Sequence, residues 1–194
     1  VEFYLYFLVR TESTYKLKIN LSKFLPLLIV TFFMLIFAIN LNISKEDKKI
    51  DQLKSPLINQ NIPKKPIRLF QKNEIIELKN IYSNLYAINF FASWCLPCKI
   101  EAPSIKLLSK KIPVFGVAFK DREKNILDFL ESYGNPYDKI GIDKDGLLGI
   151  EWGVYGIPET FIINKKGQII YKYTGPLDIH ELEKNIYGLI KNER

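Results

Sequence analysis

A chain of 194 residues, 47% hydrophobic and 13% aromatic, is long enough for one globular domain plus an appendage and too apolar for wholesale disorder. Its formal charge of +7 comes mostly from lysines spread along the chain, with no Arg-rich cluster and no nucleic-acid-binding motif, so it reads as solvated surface rather than a nucleic-acid footprint. Two cysteines and a single histidine leave too few ligands for an ordinary four-ligand zinc site.

Residues 1–23 read as a short N-terminal segment on which no function rests: Phe3 to Val9 is apolar but too short to span a bilayer, and Arg10 to Asn20 is polar. Phe24 to Leu41 carries no charge and approaches the ~20 residues that a spanning helix needs. The expectation is a transmembrane anchor over 24–41. The competitor is a cleaved signal peptide, against which stand the length of the run and the lack of a small-x-small site after Phe37-Ala38-Ile39-Asn40; a buried soluble helix is the third reading. Basic residues flank both ends, so the positive-inside rule gives no orientation. A single N-terminal anchor usually leaves the following domain outside, and an oxidising compartment suits a dithiol. Residues 42–54 read as a charged, solvated tether, and 55–194 as the globular domain.

Within that domain, Ile67 to Phe70 and Ile75 to Leu78 suggest a small hairpin about Gln71-Lys72-Asn73. Leu85 to Phe91 is the continuous apolar run of a strand covered on both faces. A helix follows to about Lys111, with Ile100, Ile105, Leu107 and Leu108 inward and a kink at Pro103. Val114 to Phe119 is a second buried strand, and Asp121 is placed to cap a helix from Lys124 to Tyr133 that Gly134-Asn135-Pro136 stops. Gly146, Gly149, Gly153 and Gly156 do not open a helix after a strand as a dinucleotide fingerprint does and read as turn glycines. Asp143-Lys144-Asp145-Gly146 lacks most of a calcium loop and reads as a turn. Thr160 to Ile163 and Gln168 to Tyr173 form a hairpin about Asn164 to Gly167. Asp178-Ile179-His180-Glu181 is a capping box opening a last helix with Leu182, Ile186, Leu189 and Ile190 as its apolar stripe. The order β-α-β-α, then β-β-α, predicts an α/β fold with a mixed central sheet flanked by helices.

Both cysteines fall where the buried strand meets its helix. Cys95 is expected at or beside the helix N-cap, where unpaired backbone N–H groups and the positive end of the helix dipole favour thiolate over thiol. A free cysteine titrates at about 8.5, and Cys-x-x-Cys motifs at helix starts fall to roughly 3.5–7.5. Cys98, one turn further in, can displace a mixed disulfide formed on Cys95, the resolving step of thiol–disulfide exchange. Pro97 is tolerated because the first turn has no N–H bonds to lose. The alternatives are a static disulfide, which would close too short a loop to restrain the unfolded chain much, and half of a zinc site, for which His180 lies too far away.

Trp94-Cys95-Leu96-Pro97-Cys98 after a buried strand, with Gly156-Ile157-Pro158-Glu159-Thr160 leading into the hairpin, resembles the thioredoxin fold. More narrowly, Cys98-Lys99-Ile100-Glu101, Gly116 to Asp121, Gly134 to Tyr137 and Gly153 to Phe161 are similar to the DsbE/CcmG type of thiol:disulfide interchange protein, membrane-tethered and used in cytochrome c maturation. The similarity runs from about Ser55 to the C-terminus. The resemblance implies that Pro158 is a cis-proline facing the cysteines and that the backbone of Ile157 is presented for strand-like pairing with a substrate. It implies that Glu101 and Glu159 are the acidic residues of the active site, and that Trp94 and Tyr155 form an apolar rim around Cys95 rather than plain core. Asn89 stands where many thioredoxins bury an acid, so the proton carrier must come from elsewhere. Glu101 shares a helical face with Cys98 and Glu159 adjoins the proline; if buried, either carboxyl has a raised pKa and can take the Cys98 proton, and if exposed both are plain surface glutamates.

The resemblance further implies a periplasm-facing reductant of the haem-binding Cys-x-x-Cys-His disulfide of apocytochrome c, re-reduced by a DsbD or CcdA type of membrane electron donor. It implies no cofactor beyond the redox-active Cys95–Cys98 disulfide, no metal and no nucleic acid. The rivals are an exported reductase with other clients, a noncatalytic module that holds apocytochrome, and an oxidase.

Overall fold

The computed structural model describes residues 4–5, 19–20, 25–46, 55–72 and 74–193, and the chain divides into two units, Val1–Asp51 and Gln52–Arg194. In the first unit, Tyr4–Leu5 (β1) pairs antiparallel with Ile19–Asn20 (β2), and Leu25–Glu46 forms the 22-residue helix α1. The side chains described along α1, from Leu25 to Ile39, are all exposed. Among the described residues no helix is long and apolar enough to cross a membrane. The expected tether of 42–54 begins as helix up to Glu46, and its remainder lies outside the described residues, as does most of the expected segment 1–23.

In the second unit a seven-stranded mixed sheet is built from β3 (Ile67–Leu69), β4 (Ile75–Ile76), β5 (Tyr86–Phe91), β6 (Val114–Phe119), β7 (Lys139–Asp143), β8 (Glu159–Ile163) and β9 (Ile169–Thr174) in the order β4-β3-β7-β6-β5-β8-β9. The α/β architecture expected from the sequence is therefore present. β5 lies parallel to β6 and antiparallel to β8. Its residues alternate between two cores, as a strand period of two requires when both faces are covered. Ala87 and Phe91 pack with Ile105, Leu108, Ile126 and Leu182, whereas Ile88 and Phe90 pack with Phe115, Trp152 and Phe161 on the other face. The helices are α2 (Leu96–Ser109), α3 (Glu123–Tyr133), α4 (Leu147–Glu151), and a C-terminal run of α5 (Ile179–Glu181), a π turn (Leu182–Ile186) and α6 (Tyr187–Asn192).

Several local expectations change. β7 was not predicted: Lys139-Ile140-Gly141-Ile142-Asp143 is short, interrupted by glycine and bounded by charges, yet it is a central strand between β6 and β3. Gly141 suits that place because a side chain there would collide with Ile67. α2 buries Cys98, Glu101, Ala102, Ile105 and Leu108, so Ile100 points to solvent instead of inward. The inward place assigned to Ile100 belongs to a carboxylate, which apolar periodicity cannot register. α3 starts at Glu123 with no side-chain cap, because Asp121 is engaged elsewhere. Asp178 does accept the Glu181 N–H at 2.7 Å, but the Glu181 carboxylate turns to the Tyr171 hydroxyl rather than completing the box.

Gly116 lies under the Tyr137 ring, and an added Cβ would sit 2.9 Å from two of its carbons. That ring stacks on Phe91 with centroids 4.6 Å apart, so a shift that admits a Cβ disturbs the stack. Gly116→Ala is expected to lower the unfolding free energy by about 1–3 kcal/mol, read as a lower urea midpoint at unchanged slope.

Candidate active site

The antiparallel register Phe90 to Glu159 and Asn89 to Thr160 brings the residues before β8 beside the C-terminal end of β5, where α2 starts. Cys95 is the N-cap of α2, in extended backbone conformation, and its Sγ accepts the Cys98 N–H at 3.2 Å. Cys95 and Cys98 are joined as a disulfide with Cα atoms 5.3 Å apart, and both are buried. An N-cap sulfur that already accepts a backbone N–H is prepared to carry negative charge once the bond is reduced.

The turn that presents Cys95 is held from β6's exit. Asp121 accepts Ser93 N at 2.6 Å, Ser93 Oγ at 3.0 Å and Arg122 N at 2.7 Å. Sequence reasoning gave this carboxylate to helix capping; it ties down the residue two before the nucleophile. Trp94 Nε1 donates to the Lys120 carbonyl at 3.4 Å, leaving the indole 59% exposed. Tyr155 is 74% exposed. Neither aromatic is core; with Leu96, also exposed, they form apolar surface flanking the motif.

The Ile157–Pro158 peptide bond is cis, and the Ile157 carbonyl oxygen stands 3.6 Å from Cys95 Sγ. Pro158 thus follows directly on the residue whose carbonyl stands against Cys95. Glu159 follows it and is fully buried, with Oε2 2.9 Å from Lys172 Nζ and Oε1 accepting Tyr155 N at 3.1 Å. Lys172 was absent from the sequence-based site. Its cue is register: it lies directly across from Phe161, two residues after Glu159, so all three share one sheet face.

Glu101 is also buried, one helical turn beyond Cys98. Its carboxylate accepts Asn89 Nδ2 at 2.9 Å and Leu177 N at 2.9 Å. Asn89 also donates to Thr160 Oγ1 at 3.1 Å and accepts the Tyr137 hydroxyl at 2.8 Å. Burial pushes the Glu101 pKa up to about 7 against the opposing pull of the Leu177 and Asn89 bonds, and burial beside Glu101 holds the Tyr137 phenol well above its ordinary value. α2 thus places a buried carboxylate, that of Glu101, in hydrogen bond to the Asn89 side chain. The reading of Glu101 and Glu159 as surface glutamates is excluded by their burial.

A dithiol pair at a helix N-terminus, set at the end of a central strand and faced by a cis-proline, defines a thioredoxin-like thiol:disulfide oxidoreductase. The chain belongs to the Redoxin family, whose sequence profile matches residues 69–190. The thiol:disulfide interchange protein DsbE of Yersinia pestis is 32% identical over 180 residues, covering 89% of this chain and 93% of its own. CycY of Rhizobium leguminosarum bv. viciae, also a thiol:disulfide interchange protein, is 47% identical over 98 residues, 50% of this chain. That alignment spans about half of CycY's length, 53%. The crystal structure of a thioredoxin-like protein from Aeropyrum pernix superposes with a TM-score of 0.55 at 22% identity, covering 64% of this chain and 89% of its own, a likeness of fold alone.

Proposed function

We propose that the protein is a membrane-anchored, periplasm-facing reductant that opens the haem-site Cys-x-x-Cys-His disulfide of apocytochrome c. The observation that carries this reading is the Ile157 carbonyl 3.6 Å from Cys95 Sγ beside a cis-proline, which offers an extended peptide a backbone partner next to the nucleophile. The similarity to DsbE and CycY supports it. The anchor assignment rests on the sequence alone, on the uncharged run from Phe24 to Leu41, which approaches the ~20 residues a spanning helix needs.

The Cys95 thiolate attacks one sulfur of the substrate disulfide, forming a Cys95–substrate bond and expelling a substrate thiolate. Cys98 then attacks Cys95 Sγ as Glu101 accepts its proton. The Cys95–Cys98 bond forms and the second substrate thiolate leaves. The substrate gains two electrons and the protein ends as the disulfide, so a DsbD or CcdA type of donor must return two electrons. Glu159, already paired with a buried lysine, is assigned to holding the proline loop rather than to proton transfer. Trp94, Tyr155, Ile157 and Pro158 line the peptide's place.

Cys98→Ala removes the resolving sulfur and is expected to accumulate the mixed disulfide on Cys95 in native membranes. Apocytochrome c bonded through its haem-site cysteines is the expected adduct. A varied set of exported proteins would instead indicate a broader reductase, and no adduct a noncatalytic holder.

A further inference from the structure

We propose that Lys172 is a positioning residue for the peptide groove, its one ammonium fixing the start, middle and end of the loop from Gly153 to Glu159. This rests on the reading of that loop as the substrate's docking edge. Lys172 is 7% exposed. Its Nζ donates to the Gly153 carbonyl at 2.6 Å, pairs with Glu159 at 2.9 Å and lies 4.8 Å from the centre of the Tyr155 ring. The ammonium therefore donates to the Gly153 carbonyl and faces the Glu159 carboxylate and the Tyr155 ring. The Phe161 ring, 5.2 Å away, lies beside it within the core.

Gly153 opens the loop with a φ of 56°, and Glu159 follows the cis-proline at its end. Tyr155, between them, sits with its face to the buried cation and the rest of its ring in solvent. Its backbone N–H is held by the other oxygen of Glu159. A buried charge that loses one partner is strongly unfavourable, so the loop cannot shift without stripping Lys172 of its partners. The pose of Tyr155, and with it the edge offered to an extended peptide, is therefore set from β9, a strand that contributes no cysteine, proline or acid. A rigid edge matters to a substrate that lies along it, and much less to a small disulfide that meets only Cys95.

The test uses the reduced full chain with two probes: a synthetic peptide containing an oxidised Cys-x-x-Cys-His segment, and 2,2′-dithiodipyridine. Lys172→Met is expected to raise the peptide KM by roughly ten- to a hundredfold, with kcat falling far less. The ratio of peptide to dithiodipyridine reactivity should drop by a similar factor. If both probes slow equally, or the ratio holds, Lys172 is only structural and the assignment fails. Because Lys172→Met leaves a buried carboxylate alone, the double variant Glu159→Gln, Lys172→Met is measured beside it. The new amide can still accept the Tyr155 N–H, no buried charge is left unpaired, and the same loss of ratio is expected. Tyr155→Ala separates the two levels of the argument. An unaltered peptide KM in that variant overturns the groove reading itself. A raised KM there, with an unaltered one in the Lys172 variants, overturns only the role of Lys172.

Discussion

Cys95→Ser is expected to bring disulfide reduction down to the uncatalysed background, a loss of roughly 10³-fold or more, in an assay that follows thiol release from a peptide disulfide. In the proposed mechanism the first bond to the substrate forms at the N-cap of α2, where Sγ accepts the Cys98 N–H and lies beside the Ile157 carbonyl. A serine oxygen fits the cap and keeps the helix start, so the loss should come with a near-unaltered circular dichroism spectrum. Cys98→Ala differs in kind, because the attacking sulfur remains and the reaction stalls after one bond. Full activity in Cys95→Ser would leave the protein with a binding role only.

Glu101→Gln is expected to slow turnover by about 10²-fold or more, the scale of a lost proton acceptor, and to abolish an inflection in the rate near pH 7. The inflection follows from burial, which raises the carboxyl from 4.5 to about 7. The same shift acts on stability. A carboxyl with a raised folded-state pKa keeps its proton in the native chain after the unfolded chain has lost it. The native state is therefore favoured below pH 4.5 and loses stability as pH rises from 4.5 toward 7, then levels off. The loss is on the order of 3 kcal/mol across that window. Urea unfolding of the parent and of Glu101→Gln at successive pH values should give a difference that follows this curve, since the amide does not titrate. A parallel pair of curves would mean that Glu101 does not titrate in that range.

The strand, the helix and the Cys-x-x-Cys between them were legible because each is a local pattern: an apolar run, an N-cap and a three-residue spacing. The hairpin of β8 and β9 was legible through its turn. β7 was not, because its five residues carry neither a long apolar run nor an alternation, and it becomes a strand through pairing on both sides. Helical periodicity placed Ile100 inside and offered no burial for Glu101, since it ranks residues by apolarity. Glu101 goes inward because Asn89 and Leu177, 12 and 76 residues away in sequence, supply the donors that a buried carboxylate needs. Asp121 was given to the helix that follows it, and instead holds Ser93, 28 residues earlier.

By itself, then, the sequence determined the fold class and the redox pair, written in short stretches whose physics is local. A cis-proline at Pro158 was implied only by the family resemblance, since most X-Pro bonds are trans, and the structure gives the bond as cis. The tertiary structure alone decided which acids are buried and what holds them, pairing Glu101 with Asn89 and Leu177 and Glu159 with Lys172. Satisfying a buried charge takes partners from distant strands and loops, and only the folded chain brings them within hydrogen-bonding reach.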